Sequence, residues 1–158
     1  MVQIRLLTPR SKAAKELIEE LDAYKSELYP ADSNHLDPVE ELEKPHVHFL
    51  GAFEGTLLLG CGAVKLMEDY GEIKRMYVRP GSRGKGVGRS LLLALESIVK
   101  KAGLPLIRLE TGVRQQEALR LYKQSGYTEI APFGDYRKDP LSVFLEKRIG
   151  ANENTAAS

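Results

Sequence analysis

Residues 83–90 read Arg83, Gly84, Lys85, Gly86, Val87, Gly88, Arg89 and Ser90: three glycines and three cations in eight positions. Glycines permit a tight backbone that other residues resist. Immediately after them Leu91, Leu92, Leu95, Ile98, Val99 and Ala102 recur at helical spacing, and Gly103 ends the pattern. A turn that opens into a helix offers unpaired N–H groups and the positive end of the helix dipole, which together attract an anion. Arg83, Lys85 and Arg89 add full charges to that concavity, so phosphate is its natural ligand. The surroundings agree, because residues 74–95 hold six basic residues (Lys74, Arg75, Arg79, Arg83, Lys85, Arg89) and no acidic one. Two common phosphate loops fit poorly. A Walker loop needs Gly-Lys-Ser/Thr, which occurs nowhere in the chain. A dinucleotide fingerprint read from Gly84 and Gly86 meets Arg89 where its third glycine should pack, although Glu110 stands where a ribose-binding acid would, and no second mononucleotide half follows.

The elements around this turn are legible from periodicity. Val2, Ile4 and Leu6 alternate as in a half-buried strand, and Ser11 can cap a helix whose apolar positions are Ala14, Leu17, Ile18, Leu21 and Leu28. Asp37-Pro38 is placed to start a short helix to about Leu42. Residues 46–53 and 56–67 form a hairpin through Glu54-Gly55, and 71–78 a third strand beside it. After the glycine-rich turn and its helix, 104–110 reads as a strand, 115–124 as a helix closed by Gly126, and 127–130 and 141–147 as strands around a Pro/Gly loop. The order βα(α)βββαβαββ is that of one α/β or α+β domain over 1–149, with a polar tail, 150–158, expected to be disordered.

Composition narrows the function. The chain has 158 residues, 42% hydrophobic and 28% charged, enough for a core that needs neither metal nor disulfide. A net charge of +1 argues against a surface built for nucleic acid or anionic lipid, and Tyr77 is the one aromatic among the clustered cations. No run approaches the ~20 apolar residues of a membrane span, and Arg5, Arg10 and Lys12 interrupt the start, so no signal peptide and a cytoplasmic setting are expected. His46 and His48 supply two ligands at most and no metal site is expected, while Cys61, between two glycines in an apolar strand, reads as a small buried residue.

One family unites these features. Arg83 through Gly88 matches Q/R-x-x-G-x-G/A, residues 72–80 match the strand that precedes that turn, and Ala118, Leu121, Tyr122, Gly126 and Tyr127 match A-x-x-L-Y-x-x-x-G-F/Y. In these motifs and in element order, over about residues 2–149, the sequence resembles the GNAT family of N-acetyltransferases. The segments 29–37 and 133–142 also look like those of a group of small bacterial acetyltransferases. The resemblance implies the GNAT fold, a mixed, mostly antiparallel sheet with helices on both faces, and acetyl-CoA as co-substrate, its pyrophosphate held by Arg83, Gly84, Lys85, Gly86, Val87, Gly88, Arg89 and Ser90. It implies cofactor contacts from Met76, Tyr77 and Val78, and from Gln115, where many members carry asparagine.

The implied reaction is direct attack of an amine on the thioester. An alkylammonium near pKa ~10.4 must first lose a proton. The oxyanion needs a preplaced N–H donor, implied to lie near Val78, and Tyr122 stands where the family serves the departing thiolate. A tyrosine near pKa ~10 gives its proton to a thiolate whose acid has pKa ~8.5 only uphill, by about 2 kcal/mol, so hydrogen bonding is the minimal role. For the base, Glu72 ranks first and Glu110 second, as carboxylates on central strands, where an acid is costly unless used or paired. Salt bridges to Lys74 or Arg108 would explain them equally well. The resemblance locates the acceptor pocket at Tyr29, Asn34, His35, Phe133, Asp135 and Tyr136, with Asp135 suited to an ammonium and His35 or Arg137 to a carboxylate. Turn chemistry alone accounts for many of the same residue types. A small-molecule primary amine is the expected acceptor and a homodimer is compatible with family habit. Acetylation of a protein lysine or N-terminus, and a non-catalytic acyl-CoA sensor, are the alternatives.

Overall fold

The computed structural model describes residues 1–30 and 38–149, so Asn34, His35 and the tail 150–158 lie outside the described residues. In chain order the elements are β1 (Gln3–Leu6), α1 (Lys12–Leu28), α2 (Val39–Leu42), β2 (Val47–Glu54), β3 (Leu57–Leu66), β4 (Tyr70–Val78), α3 (Val87–Lys101), β5 (Leu106–Gly112), α4 (Gln116–Gln124), β6 (Thr128–Ile130) and β7 (Ser142–Arg148). A single 3-10 turn, Pro80–Ser82, precedes α3. The strands make one seven-stranded sheet in the order β1-β2-β3-β4-β5-β7-β6. Every pairing is antiparallel except β4 with β5.

Two apolar layers sandwich this sheet. On one face Val87, Leu91, Leu92, Leu95 and Val99 of α3 pack with Tyr122 of α4 against Val64, Ile73, Ile107, Leu109 and Leu145. On the other, Ala14, Leu17, Ile18 and Leu21 of α1 join Leu42 of α2 against Phe49, Cys61, Ala63 and Tyr77. The α1 start is capped by Ser11, whose Oγ accepts from the Ala14 N–H at 3.2 Å.

Three details differ from expectation. Leu6 is 77% exposed and Leu7 is buried in its place, because the chain leaves the sheet after Leu6 and Leu7 turns into the α1-side core. Ala102 is exposed as the residue that caps α3 rather than part of its apolar face. Conversely Glu96 lies buried on that helix, its carboxylate accepting from the Tyr127 hydroxyl at 2.8 Å and pairing with Lys147 at 3.2 Å, so a charge sits where periodicity suggests only apolar contact.

Candidate active site

The site exists because β4 and β5 part company. They share a parallel register from Tyr70 and Leu106 to Ile73 and Leu109, and no further, while β5 runs on to Gly112 against β7. At the same point β4 bulges: its register on β3 passes from Lys74 opposite Ala63 to Tyr77 opposite Cys61, so that Arg75 and Met76 stand against one residue, Gly62. The bulge swaps faces. Ile73 packs into the α3-side core, whereas Tyr77, four positions on, packs into the α1-side core. Arg75 carries φ of 57°, the only positive φ of a non-glycine among the described residues, a conformation that costs roughly 1–2 kcal/mol. An ion pair to Asp22 of α1 and a hydrogen bond from the Cys61 thiol to the Arg75 carbonyl, 3.2 Å, hold it there. Burial pushes that thiol up to about 12, so Cys61 is a structural donor rather than a nucleophile.

Beside the splayed strands lies a groove of about 650 Å³, walled by Met76, Tyr77 and Val78, by Gly84, Gly86, Val87, Gly88 and Arg89, and by α4 from Gln115 to Ser125. Gly84 and Gly86 have φ of 78° and 82°, a left-handed turn that leaves Gly86 as the α3 N-cap with no side-chain cap. The first turn of α3 holds no acidic residue, and its first internal bond is Ser90 N–H to the Gly86 carbonyl, 3.0 Å, so the N–H groups of Val87, Gly88 and Arg89 have no helical acceptor. These donors with Arg89 suit a pyrophosphate, and an apolar wall of Val78, Ala118 and Leu121 suits an uncharged acyl arm. The residues present therefore fit coenzyme A.

A second, smaller chamber of about 40 Å³ opens between α1, β4 and β5. Met76, Gln115 and Ala118 line both spaces, so the two meet at these residues. Tyr122 lines the chamber; its hydroxyl has no hydrogen-bond partner among the described residues, and burial, helped by the Glu110 charge, raises its pKa. It is therefore a protonated donor at neutral pH. Glu110 forms chamber wall and accepts from Ser142 Oγ at 2.8 Å.

Glu72 is placed differently. It is 6% exposed and absent from the chamber wall, with the Tyr136 hydroxyl donating to it at 2.7 Å and Lys74 pairing at 3.5 Å. Lys74 in turn donates to the Tyr136 oxygen at 3.0 Å, and Tyr136 itself lines the chamber. The order of access is thus the reverse of the sequence ranking: Glu110 meets the chamber directly and Glu72 only through Tyr136 and Lys74.

The other expected site residues divide. Arg83 lines the groove, but its Nε donates to the Val78 carbonyl at 2.9 Å and its guanidinium lies over the rings of Tyr24 and Tyr77, so it braces the end of β4. Lys85 and Ser90 are exposed and do not line the groove. Gln115 is buried, its Oε1 accepting from the Gly112 N–H at 3.0 Å, which leaves its amide nitrogen for the cleft. Phe133 packs edge-on against Tyr70, Tyr136 and Phe144 and supports Tyr136 from behind, while Asp135 and Arg137 are exposed outside both spaces.

Tyr29 lines neither space but seats its ring over Gly112, with its hydroxyl accepting from the Arg114 N–H at 3.1 Å. A Cβ on Gly112 would fall inside the Tyr29 ring and hydroxyl. Gly112→Ala is accordingly expected to cost about 2–3 kcal/mol and lower the melting temperature by roughly 4–10 °C. A wild-type melting curve for this variant would show that Tyr29 is not seated there.

Sequence reasoning missed Tyr24 and Lys25, which α1 brings to the groove and the chamber. The signal was present: Lys25 follows Leu17 and Leu21 at intervals of four, a cation on the apolar stripe.

Comparison with known proteins identifies the family. Residues 14–127 match the Acetyltransferase (GNAT) family. The chain is 45% identical over 150 residues to an IAA acetyltransferase of Azospirillum brasilense, covering 94% of this chain and 98% of the relative. It is 37% identical over 125 residues to the uncharacterized N-acetyltransferase YsnE of Bacillus subtilis, covering 77% and 83%. The crystal structure of a candidate acyl-CoA N-acyltransferase from Klebsiella pneumoniae superposes with a TM-score of 0.79 at 36% identity, covering 94% and 97%. This chain belongs to the GNAT acetyltransferase family. It is an N-acetyltransferase, and its co-substrate is acetyl-CoA.

Proposed function

We propose that the chain transfers the acetyl group from acetyl-CoA to the primary amine of a small molecule, by direct attack and without a covalent enzyme intermediate. The observation that carries this reading is the meeting of the groove and the chamber at Met76, Gln115 and Ala118, with Tyr122 and Glu110 on the chamber side. When bound, acetyl-CoA supplies the thioester that the amine attacks. The relative named IAA acetyltransferase supports a small-molecule acceptor.

Within that reading each residue has a task. Glu110 takes the ammonium proton, directly or through a water, and the Glu72–Tyr136 pair holds the chamber's far wall. Beyond Ile73 the β4 edge has no β5 partner, so its backbone groups over 74–78 face the opening, where an oxyanion donor is needed. Tyr122 donates a hydrogen bond to the departing sulfur. Because burial raises its pKa, donation rather than full proton transfer is its role.

The test is an amine screen by thiol release with acetyl-CoA, repeated for Glu110→Gln and Glu72→Gln. Loss of the base is expected to lower kcat/KM roughly 100-fold in Glu110→Gln, with a smaller loss in Glu72→Gln. Full activity of Glu110→Gln alongside an inert Glu72→Gln would move the base to Glu72.

A further inference from the structure

Three cations, Lys25, Lys74 and Arg75, line the chamber that receives the amine, against one carboxylate, Glu110. Two of these charges are answered inside the protein, Lys74 by Glu72 at 3.5 Å and Arg75 by its ion pair to Asp22. Lys25 differs. Half-buried on α1, it makes no side-chain hydrogen bond and no ion pair with a carboxylate among the described residues. Glu110 acts on it electrostatically while accepting from Ser142. Burial, the largest influence, lowers the Lys25 pKa against the raising effect of the Glu110 charge, with Arg75 and Lys74 adding to the lowering and Asp22 opposing it. Such a group is costly to retain at a chamber wall unless something arriving there pairs with it.

We infer, resting on the acetyl-transfer reading above, that the acceptor carries an anionic group, a carboxylate or phosphonate, near its amine, and that Lys25 is the residue that binds it. An acceptor of this kind brings one positive and one negative end. The negative end pairs with Lys25, which leaves the ammonium beside Glu110, the carboxylate positioned to remove its proton. A polyamine meets the reverse situation, since its second ammonium would have to sit among Lys25, Lys74 and Arg75. The surroundings of Lys25 thus select for amino acids and aminoalkylphosphonates and against polycations.

Matched substrates test this. Initial rates at saturating acetyl-CoA are measured for glycine and L-alanine against their carboxamides, for 2-aminoethylphosphonate against ethanolamine, and for spermidine. The expected result is that at least one acid exceeds its uncharged twin by tenfold or more in kcat/KM. Lys25→Met should cut that preference at least about tenfold, through KM rather than kcat, and Lys25→Arg should restore most of it, because the head charge and not the lysine framework is what binds. A merely structural role would lower both twins together and leave their ratio intact. Turnover confined to uncharged amines or spermidine, or a preference for acids that survives Lys25→Met, would overturn the inference while leaving acetyl transfer standing. Turnover of no amine, in a protein that still binds acetyl-CoA, would remove the transfer reading and this inference with it.

Discussion

Gly86→Val is expected to fold and to bind acetyl-CoA at least ~30-fold more weakly than the wild type, a loss of about 2 kcal/mol in titration calorimetry. The effect is conformational. Gly86 sits at φ of 82° as the α3 N-cap, and nothing lies within 4 Å of a Cβ built there, so the substitution meets no wall of the protein. A β-branched residue resists that φ by roughly 1–2 kcal/mol, which the turn relieves by moving the N–H groups of Val87, Gly88 and Arg89 off their common focus. The new side chain also projects from a residue of the groove wall. Gly86→Ala, with a milder conformational penalty and a smaller side chain, should fall between. Equal affinity in all three proteins would mean that the turn does not hold the pyrophosphate.

Tyr122→Phe is expected to lower kcat roughly 10- to 150-fold, the value of one hydrogen bond to a charged atom, about 1.5–3 kcal/mol. KM for acetyl-CoA should change little. The hydroxyl makes no hydrogen bond within the described protein, so its removal orphans no group and stability should hardly move. Burial, and after it the Glu110 charge, raises the tyrosine pKa, so the hydroxyl stays protonated through the neutral range and the pH profile of kcat should carry no limb from it there. The same shift has a consequence for stability. A tyrosine whose folded pKa exceeds the unfolded value of about 10 contributes stability that is present below pH 10 and lost as pH rises toward the folded pKa. Tyr122→Phe should therefore resist alkaline unfolding better than the wild type. An unchanged kcat would reduce Tyr122 to a core ring packed on Tyr127.

Much of this was legible in the sequence, for reasons that differ by element. The α3 face shows at 3.6-residue spacing because Val87, Leu91, Leu92, Leu95 and Val99 are all buried, and the turn before it shows because glycine takes φ near 80° without steric cost. The β4 bulge did not show. It is made at Arg75, a residue type that gives no hint of positive φ, and it is held by Asp22 from a helix more than fifty residues earlier. That one irregularity sets the faces of Tyr77 and Met76 and so the shape of the site. Lys85 could not be separated from Arg89 by composition, since only the three-dimensional course of the turn directs one outward and the other to the groove. Glu72 and Glu110 look alike as acids on neighbouring strands, and what divides them is Tyr136, brought to Glu72 from 64 positions away.

The most direct test of the account is thermal unfolding of the wild-type protein with acetyl-CoA, NAD or ATP at equal concentration. Ligand at 100 times its dissociation constant adds about 2.7 kcal/mol, which for a domain of this size raises the melting temperature by roughly 5–10 °C. That shift is expected with acetyl-CoA, and none of comparable size with NAD or ATP. A shift with either nucleotide in its place, or no shift at millimolar acetyl-CoA, would contradict the assignment of the Gly84–Arg89 groove on which every other step depends.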